Sequence, residues 1–261
     1  MKQVLRSLQV DTVCEQAMCP NIGECFLAKT ATFLILGKNC TRMCSFCNIQ
    51  KAKPLAADGD EPERVAQAVQ QLSLKHVVIT SVTRDDLSDG GAGIFAQTVI
   101  QIKEKSPQTK IEILIPDFGS SLKALKIVAA ANPDIIAHNL ETVPSLYNQV
   151  RQGSNYLRSL GLLGTLKDIA PQLKTKSGLM LGLGEKTEEV LSVMHDLRSV
   201  GCDFLSIGQY LAPSKQHYPV KEYILPEQFD YYKEKGKETG FSYIESGPYV
   251  RSSYLAAGYL S

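Results

Sequence analysis

The sequence predicts an α/β fold with a mainly parallel sheet, in the form of a partial (β/α)6 TIM-like barrel. Six short apolar, β-branched segments alternate with segments of helical periodicity along the 261 residues. This alternation is typical of parallel strands joined by right-handed helical crossovers. A closed barrel needs eight such units, so six units indicate an open barrel; a doubly wound sheet uses the same alternation and is the alternative. The predicted strands are 32–37, 76–81, 110–116, 134–141, 176–183 and 203–210.

The predicted helices lie between these strands and carry apolar residues at helical spacing. Helix 61–73, for example, places Val65, Val69 and Leu72 on one face. The other helices are predicted at 1–8, 94–105, 122–131, 156–169, 185–200 and 226–239. We therefore expect three parts: an N-terminal cysteine-rich, cluster-binding arm (1–30), the barrel (31–240) and a C-terminal capping segment (241–261). In such folds the active groups lie at the carboxyl ends of the strands.

Charge and hydropathy argue against several classes of function. The 28 basic residues nearly balance the 27 acidic ones, for a formal net charge of +1, so nothing favours electrostatic binding to nucleic acid. There is no run of 18 apolar residues that would predict a membrane span, and residues 1–13 lack the apolar core of a secretory signal. Seven cysteines in such a chain predict metal ligation in a reducing, cytoplasmic compartment.

Three of these cysteines, Cys40, Cys44 and Cys47, follow the first predicted strand with the spacing C-x3-C-x2-C. Thiolates are soft ligands that suit zinc or iron–sulfur clusters. Three thiolates with no fourth nearby can bind three corners of a [4Fe-4S] cube and leave one iron open to a small molecule. A zinc knuckle and buried structural thiols are the alternatives, although zinc sites usually show paired C-x2-C units or histidine partners.

A second triplet, Cys14, Cys19 and Cys25, precedes the first with the different spacing C-x4-C-x5-C. Asn21 and Gly23 lie between its members and suit a tight turn that brings the thiols together. Beside the other triplet, we interpret this one as a second cluster site that lacks its fourth ligand in the neighbouring sequence. The alternative is three small buried residues in an irregular arm.

The spacing of the Cys40 triplet resembles the cluster motif of the radical S-adenosylmethionine (SAM) enzymes, and the chain as a whole closely resembles the lipoyl synthase family. Apart from the two triplets, the matching segments are VITSVTRDDL (78–87), DIIAHNLE (134–141), TKSGLMLGLGE (175–185), GQYL (208–211) and GPYVRSSY (247–254). The N-terminal triplet of Cys14, Cys19 and Cys25 and the Arg-Ser-Ser-Tyr motif together are highly specific to this family.

This resemblance implies an activity, cofactors and partners. The activity is the insertion of two sulfur atoms, at C6 and C8, into an octanoyl chain carried on a lysine of a lipoyl carrier protein or domain. Carriers of this kind include the glycine cleavage H protein and the E2 subunit of 2-oxoacid dehydrogenases. Two [4Fe-4S] clusters and SAM are the implied cofactors, and an electron donor such as flavodoxin or ferredoxin is a further implied partner.

The resemblance also implies which residues bind the clusters. Those of the SAM-cleaving cluster are Cys40, Cys44 and Cys47, and those of the auxiliary, sulfur-donating cluster are Cys14, Cys19, Cys25 and Ser253. A serine oxygen is a harder and less well matched ligand for iron than a thiolate, so Ser253 is the expected release point. Arg251 is expected to orient the serine or the cluster edge. An ordinary polar tail and a surface salt bridge are the alternatives for these two residues.

Further residues are expected to contact SAM. Ser81 and Thr83 resemble the superfamily position that contacts the methionine amine of SAM, and Gly184 and Glu185 resemble the position near its adenine and ribose, with a plain strand-to-helix turn as the alternative. Phe46 is expected to pack against adenine, or else to shield the cluster, and Glu141 is expected to be a polar group in the barrel mouth. Two other functions compete for the whole chain, a radical SAM methylthiotransferase, which would bring an RNA-binding module that is not found here, and a zinc-binding interaction domain.

Overall fold

The structure is a computed structural model that describes residues 1–17, 19–254 and 256–260. The chain divides into two compact units. The first contains Met1–Thr41, Ile49–Ile136 and the C-terminal 3-10 helix Ala256–Leu260, and the second contains Arg42–Asn48 and Ala137–Tyr254. No helix in these described ranges is both long and apolar enough to cross a membrane.

The first unit is built on three parallel strands with helices packed beside them, namely β2 (Thr30–Ile35), β5 (His76–Ser81) and β6 (Lys110–Leu114). Strand β1 (Asp11–Thr12) pairs antiparallel with β2, and β3 (Asn39–Cys40) and β4 (Gln50–Lys51) form a separate two-stranded sheet. Its helices are α1 (Lys2–Ser7), α2 (Val13–Gln16), α3 (Ile22–Leu27), α4 (Glu61–Gln71), α5 (Ala92–Lys105) and α6 (Leu122–Ala130), with a 3-10 turn at Phe118–Ser120. The strand order is β1-β2-β5-β6.

Register and burial explain why these strands form. Thr30 on β2 pairs in parallel with His76 on β5, and His76 pairs with Lys110 on β6. All of β2 and nearly all of β5 are buried, as expected of strands covered on both faces. Val65 and Val69, on the predicted apolar face of α4, are fully buried, so this helix supplies part of the cover.

The second unit repeats the pattern. Strand β7 (Ile135–Ala137) lies where the chain passes from the first unit to the second, followed by β8 (Lys174–Leu181), β9 (Phe204–Gln209) and β10 (Tyr243–Gly247). The helices are α7 (Tyr147–Val150), α8 (Tyr156–Ile169), α9 (Thr187–Ser199) and α10 (Pro226–Thr239), with a 3-10 turn at Pro144–Leu146. Phe204 on β9 pairs in parallel with Lys176 on one side and Tyr243 on the other.

The α/β alternation predicted from the sequence is present, with differences at strand ends. Segment 134–141 is a regular strand only at Ile135–Ala137, because Leu140 N donates to the Ser177 side chain instead of a backbone carbonyl and Glu141 has φ +67°. Strand β2 ends before Leu36 and Gly37, whose φ values are +68° and +87°. The C-terminal segment contains a strand that the sequence analysis missed, β10, which pairs with β9.

The turn after β10 packs closely on β9. A Cβ added to Gly208 would lie 2.0 Å from the carbonyl oxygen of Val250, a distance that the backbone has to move to relieve. Glycine is therefore required at this position by a close approach between two backbone segments.

We expect Gly208→Ala to lower the free energy of unfolding by about 1–3 kcal/mol, the usual effect of overpacking. Gly161→Ala is the matched control. Gly161 lies on the exposed face of α8, and its added Cβ would meet no described atom within 4 Å. Alanine in place of glycine inside a helix raises stability by about 0.5–1 kcal/mol. Urea denaturation measures both. Equal stability of the two variants would contradict the packing described here.

Candidate functional site

Cys40 is held against the segment that follows β5. The Cys40 Sγ accepts a hydrogen bond from the backbone N–H of Thr83 at 3.4 Å. The next residue, Thr41, donates to the Thr83 carbonyl from its N–H at 3.1 Å and from its Oγ1 at 3.0 Å. The backbone N–H of Asp85 in turn donates to Thr41 Oγ1 at 3.2 Å. The first unit therefore places Cys40 beside the carboxyl end of β5, where an active group of this fold is expected.

Cys44 and Cys47 lie in a tight turn of the second unit, in which the N–H of Cys47 donates to the Cys44 carbonyl at 3.3 Å. Ser45, between them, is anchored on both sides. Its N–H donates to the Val150 carbonyl at 3.0 Å, and its own carbonyl accepts from Tyr218 N–H at 2.9 Å. Its hydroxyl donates to the Gln149 carbonyl at 2.8 Å. These bonds fix the backbone that carries the two thiols.

Phe46 packs against a small apolar cluster formed by Val150, Leu183 and Tyr210. Leu183 belongs to the turn after β8, so the structure brings Phe46 together with the turn that contains Gly184 and Glu185. Burial, together with the nearby Cys47, raises the pKa of Tyr210 to about 12. The Cys47 thiol thus lies next to a low-polarity wall.

The N-terminal triplet spans two short helices, with Cys14 in α2 and Cys25 in α3. Burial raises the pKa of the Cys14 thiol; hydrogen bonds from Thr32 oppose this, and the proximity of Cys19 adds to it. Burial and then the proximity of Cys14 and Cys19 raise the pKa of Cys25 to about 11. The three thiols are therefore close enough to destabilise one another as thiolates, and a bound cation would relieve that repulsion.

The six cysteines of the two triplets are candidate ligands of iron–sulfur clusters. Within the described residues, no three His, Cys, Asp or Glu side chains converge closely enough to hold one metal ion. A [4Fe-4S] cluster binds each cysteine at a different iron, so its ligands do not have to meet at one point. All six cysteines of the two triplets are free of disulfide bonds.

The C-terminal turn is tied to the loop after β7. Ser252 Oγ donates to Asn139 Oδ1 at 3.2 Å, and Asn139 Nδ2 donates to Glu141 Oε1 at 3.1 Å. The Ser253 hydroxyl makes no hydrogen bond to any described residue. Arg251 Nη1 donates to the Val250 carbonyl at 2.7 Å, which binds this side chain to its own turn.

The sequence is similar to known proteins over most of its length. The family model of the Radical SAM superfamily matches residues 34–197. Over 259 residues the chain is 61% identical to the lipoyl synthase of Geobacter sulfurreducens, covering 99% of this chain and 85% of that protein. It is 59% identical over 260 residues to the lipoyl synthase of Trichlorobacter lovleyi, covering 99% and 92%. The chain belongs to the lipoyl synthase family of radical SAM enzymes.

Solved structures confirm the fold of this lipoyl synthase family member. Methylornithine synthase PylB matches with a TM-score of 0.57 and 14% identity, covering 85% of this chain and 67% of that one. Streptococcus suis SuiB bound to S-adenosylmethionine matches with a TM-score of 0.64 and 13% identity, covering 86% and 52%. The predicted partial TIM-like barrel is therefore confirmed, while the predicted family is confirmed by the sequence relatives given above.

The residues expected to contact SAM in a lipoyl synthase have different environments. Ser81 lies at the end of β5, and its buried Oγ has no hydrogen-bond partner among the described residues. Thr83 uses its backbone for Cys40 and Thr41, as described above. Burial raises the pKa of Glu141, opposed by nearby Arg151 and by the bond from Asn139. Ser81 and Glu141 thus retain polar capacity for a ligand.

The turn of Gly184 and Glu185 is organised internally. Gly184 has φ +108°, a conformation that favours glycine. The Glu185 carboxylate accepts hydrogen bonds from Gly182 N–H at 2.6 Å and Leu183 N–H at 2.9 Å. Its oxygens therefore shape the turn, a role that the sequence analysis did not assign to it.

Sequence reasoning also missed the anchoring residues. Asn139 was part of a matching motif but received no role, and the polar run of Thr83 to Asp86 after β5 was the only signal for the contacts around Thr41. The one sequence feature that pointed to the position of Asn139 is Gly178, the glycine opposite it. A Cβ at Gly178 would lie 2.8 Å from Asn139 Oδ1, so glycine there leaves room for the amide.

We expect Asn139→Ala to loosen the C-terminal turn, because Ser252 loses its acceptor. A neutral hydrogen bond contributes about 0.5–1.5 kcal/mol, so the open state of the turn becomes several-fold more populated. Limited trypsin digestion, which cuts after Arg251, measures this. Ser252→Ala is expected to have the same effect, whereas Ser253→Ala, which removes no hydrogen bond, leaves the cleavage rate unchanged. Equal cleavage rates for all three variants would contradict a turn held by the hydrogen bond between Ser252 and Asn139.

Proposed function

We propose that this chain carries out the reaction of its family, with its two cysteine triplets holding two separate [4Fe-4S] clusters. Two sulfur atoms are inserted at C6 and C8 of an octanoyl chain, which is carried as an amide on a lysine of a lipoyl carrier protein or domain. The observation that supports this most directly is 61% identity over 99% of the chain to a lipoyl synthase, with all seven proposed ligands present.

Cys40, Cys44 and Cys47 are the proposed ligands of the SAM-cleaving cluster. A cluster held by these thiols would pass one electron to bound SAM, whose cleavage to methionine would provide a primary carbon radical able to abstract hydrogen from an unactivated C–H bond. The chain contributes position and exclusion of water. The Ser45 bonds hold the turn of Cys44 and Cys47, and Phe46 covers it with its apolar cluster. The Ser81 hydroxyl, for which the described part of the chain offers no hydrogen-bond partner, is a candidate partner for a polar group of SAM.

Cys14, Cys19, Cys25 and Ser253 are the proposed ligands of the auxiliary cluster, which is consumed as the sulfur substrate. Burial, and after it the proximity of the other cysteines, raises the pKa values of Cys14 and Cys25, which favours a cationic partner at the N-terminal triplet. Ser253 is the only proposed ligand with an oxygen donor, and its hydroxyl is not used within the described chain. We assign Arg251 to the orientation of this turn.

The proposed reaction assigns a role to each of three parts of the chain and requires two partner proteins. The N-terminal arm (1–30) carries the auxiliary site, the region 31–240 carries the radical site, and the segment 241–261 supplies the serine. Partners are an octanoylated carrier, such as a glycine cleavage H protein or a dehydrogenase E2 domain, and a low-potential electron donor such as flavodoxin or ferredoxin, in the cytoplasm.

The decisive experiment is an anaerobic reaction of the reconstituted chain with SAM, a reductant and an octanoyl-lysyl peptide, followed by mass spectrometry. We expect 5′-deoxyadenosine together with a peptide in which two sulfurs replace two hydrogens. Cys44→Ala is expected to abolish both products, and Cys25→Ala to abolish the sulfur-containing peptide while 5′-deoxyadenosine still forms. Cys202→Ala, a buried cysteine outside both triplets, is the matched control and keeps both products.

Three results would contradict the proposal. Sulfur insertion that survives Cys25→Ala would remove the role of the N-terminal triplet. Bound zinc in place of iron would support a zinc-binding module instead. Formation of 5′-deoxyadenosine with methylthio transfer to RNA, and none to the peptide, would support a methylthiotransferase.

The proposed role of Ser253 has its own test. Ser253→Cys replaces a poorly matched oxygen ligand with a thiolate, so the iron should remain bound while sulfur release slows on the order of tenfold, equivalent to about 1.4 kcal/mol in the barrier. The measurement is the rate of sulfur insertion in a single turnover, with iron content determined in parallel. Turnover at the parental rate with full iron content would contradict a labile serine ligand.

A further inference from the structure

The residue that follows Thr83, Arg84, has a side chain only 2% exposed. Its guanidinium donates to both carboxylate oxygens of Asp86, from Nε to Oδ1 at 2.9 Å and from Nη2 to Oδ2 at 2.8 Å. It also donates from Nη1 to the Leu36 carbonyl at 3.1 Å and from Nη2 to the Leu55 carbonyl at 2.9 Å. Charge-assisted bonds of this kind are stronger than neutral ones.

The two carbonyls held by Arg84 mark the two ends of one loop. Leu36 directly follows β2, and Leu55 follows β4. The segment between them, residues 37–54, contains Cys40, Cys44 and Cys47. One side chain therefore ties together the entry and the exit of the segment that carries the whole triplet.

The entry residue is held in a conformation that it would not choose alone. Leu36 has φ +68°, which is unfavourable for a residue with a Cβ. Its N–H donates to Glu61 Oε2 at 2.7 Å, and its carbonyl accepts from Arg84. Hydrogen bonds on both sides of the residue fix the direction in which the chain enters the loop, and Arg84 supplies one of the two.

We propose that Arg84 is a positioning residue that closes the cysteine loop of residues 37–54 and thereby keeps its thiols ready to bind their cluster. This inference rests on the proposed cluster-binding role of Cys40, Cys44 and Cys47. Arg84 binds no iron itself; it acts through the backbone of Leu36 and Leu55. If Arg84 only stabilised the first unit in general, its replacement would act through global stability, and the two roles are separable by experiment.

The first test needs no metal. Trypsin cuts after Lys38, Arg42 and Lys51 in the loop when the loop opens, whereas Lys53 precedes Pro54 and is not a cleavage site. In Arg84→Lys the single ammonium group cannot span Asp86 and two carbonyls as the planar guanidinium does. Because hydrogen bonds to a charged group are lost, we expect cleavage of the full-length metal-free chain within the loop to be about tenfold faster.

Val69→Ala is the matched control. Val69 is fully buried in α4 of the same unit, and shortening it leaves a cavity that lowers stability without touching the loop. We expect this variant to lose thermal stability and to be cleaved in the loop at the parental rate. If the loop is cut equally fast in both variants, Arg84 is a general stabilising residue and the inference is overturned.

The second test measures the cluster itself. Iron release to a chelator is followed in full-length chains in which Cys14, Cys19 and Cys25 are replaced by alanine, so that only the Cys40 loop holds iron. We expect release to be about tenfold faster with Arg84→Lys and unchanged with Val69→Ala. Release at the parental rate from the Arg84→Lys chain would overturn the inference. If the chain with Arg84 intact and the N-terminal triplet replaced binds no iron, the proposed function is refuted instead. The trypsin test would then still show whether Arg84 closes the loop.

Discussion

A cluster held by only three protein thiolates depends on a backbone that does not move, because each ligand has to reach its own iron while a fourth position stays open. Around the cysteines proposed as ligands, each unit supplies hydrogen bonds to the backbone. In the first unit, the residues after β5 hold Cys40 and Thr41. In the second, Ser45 is bound through its N–H, its carbonyl and its hydroxyl. The segment after β5 supplies the anchors in the first unit, and helix α7 together with the loop after β9 supplies them in the second.

Charge sets the second requirement. Burial and mutual repulsion raise the pKa values of Cys14 and Cys25, so in the metal-free chain these groups are favoured as neutral thiols. Thiolates are the metal-binding form, and metal binding therefore releases protons and contributes to the stability of the arm. Helices α2 and α3, of four and six residues, are shorter than isolated helices that are stable in water. The cluster proposed for the arm is thus expected to stabilise it structurally, in addition to its proposed role as the source of sulfur.

Most of the secondary structure was predictable because it depends on local pattern. Helices α8 and α10 have the predicted bounds, 156–169 and 226–239. Strand β10 was missed because its residues include Glu245 and Ser246, which are polar but buried. Glu245 is paired with Lys233, and Ser246 donates to the Phe229 carbonyl. Such partners come from α10 and are not visible in the strand itself. The role of Asn139 is equally non-local, since it depends on Ser252 and on the space above Gly178. The cysteine spacings, by contrast, are local and indicated both triplets directly.

The central claim is that the two cysteine triplets hold two independent clusters, and the count of iron and sulfide per chain tests it most directly. After anaerobic reconstitution and removal of unbound iron, two [4Fe-4S] clusters give about eight irons and eight sulfides per chain. Replacing either triplet by alanine is predicted to leave about four of each. About four irons in the parental chain, or the loss of all iron when either triplet is replaced, would contradict the account.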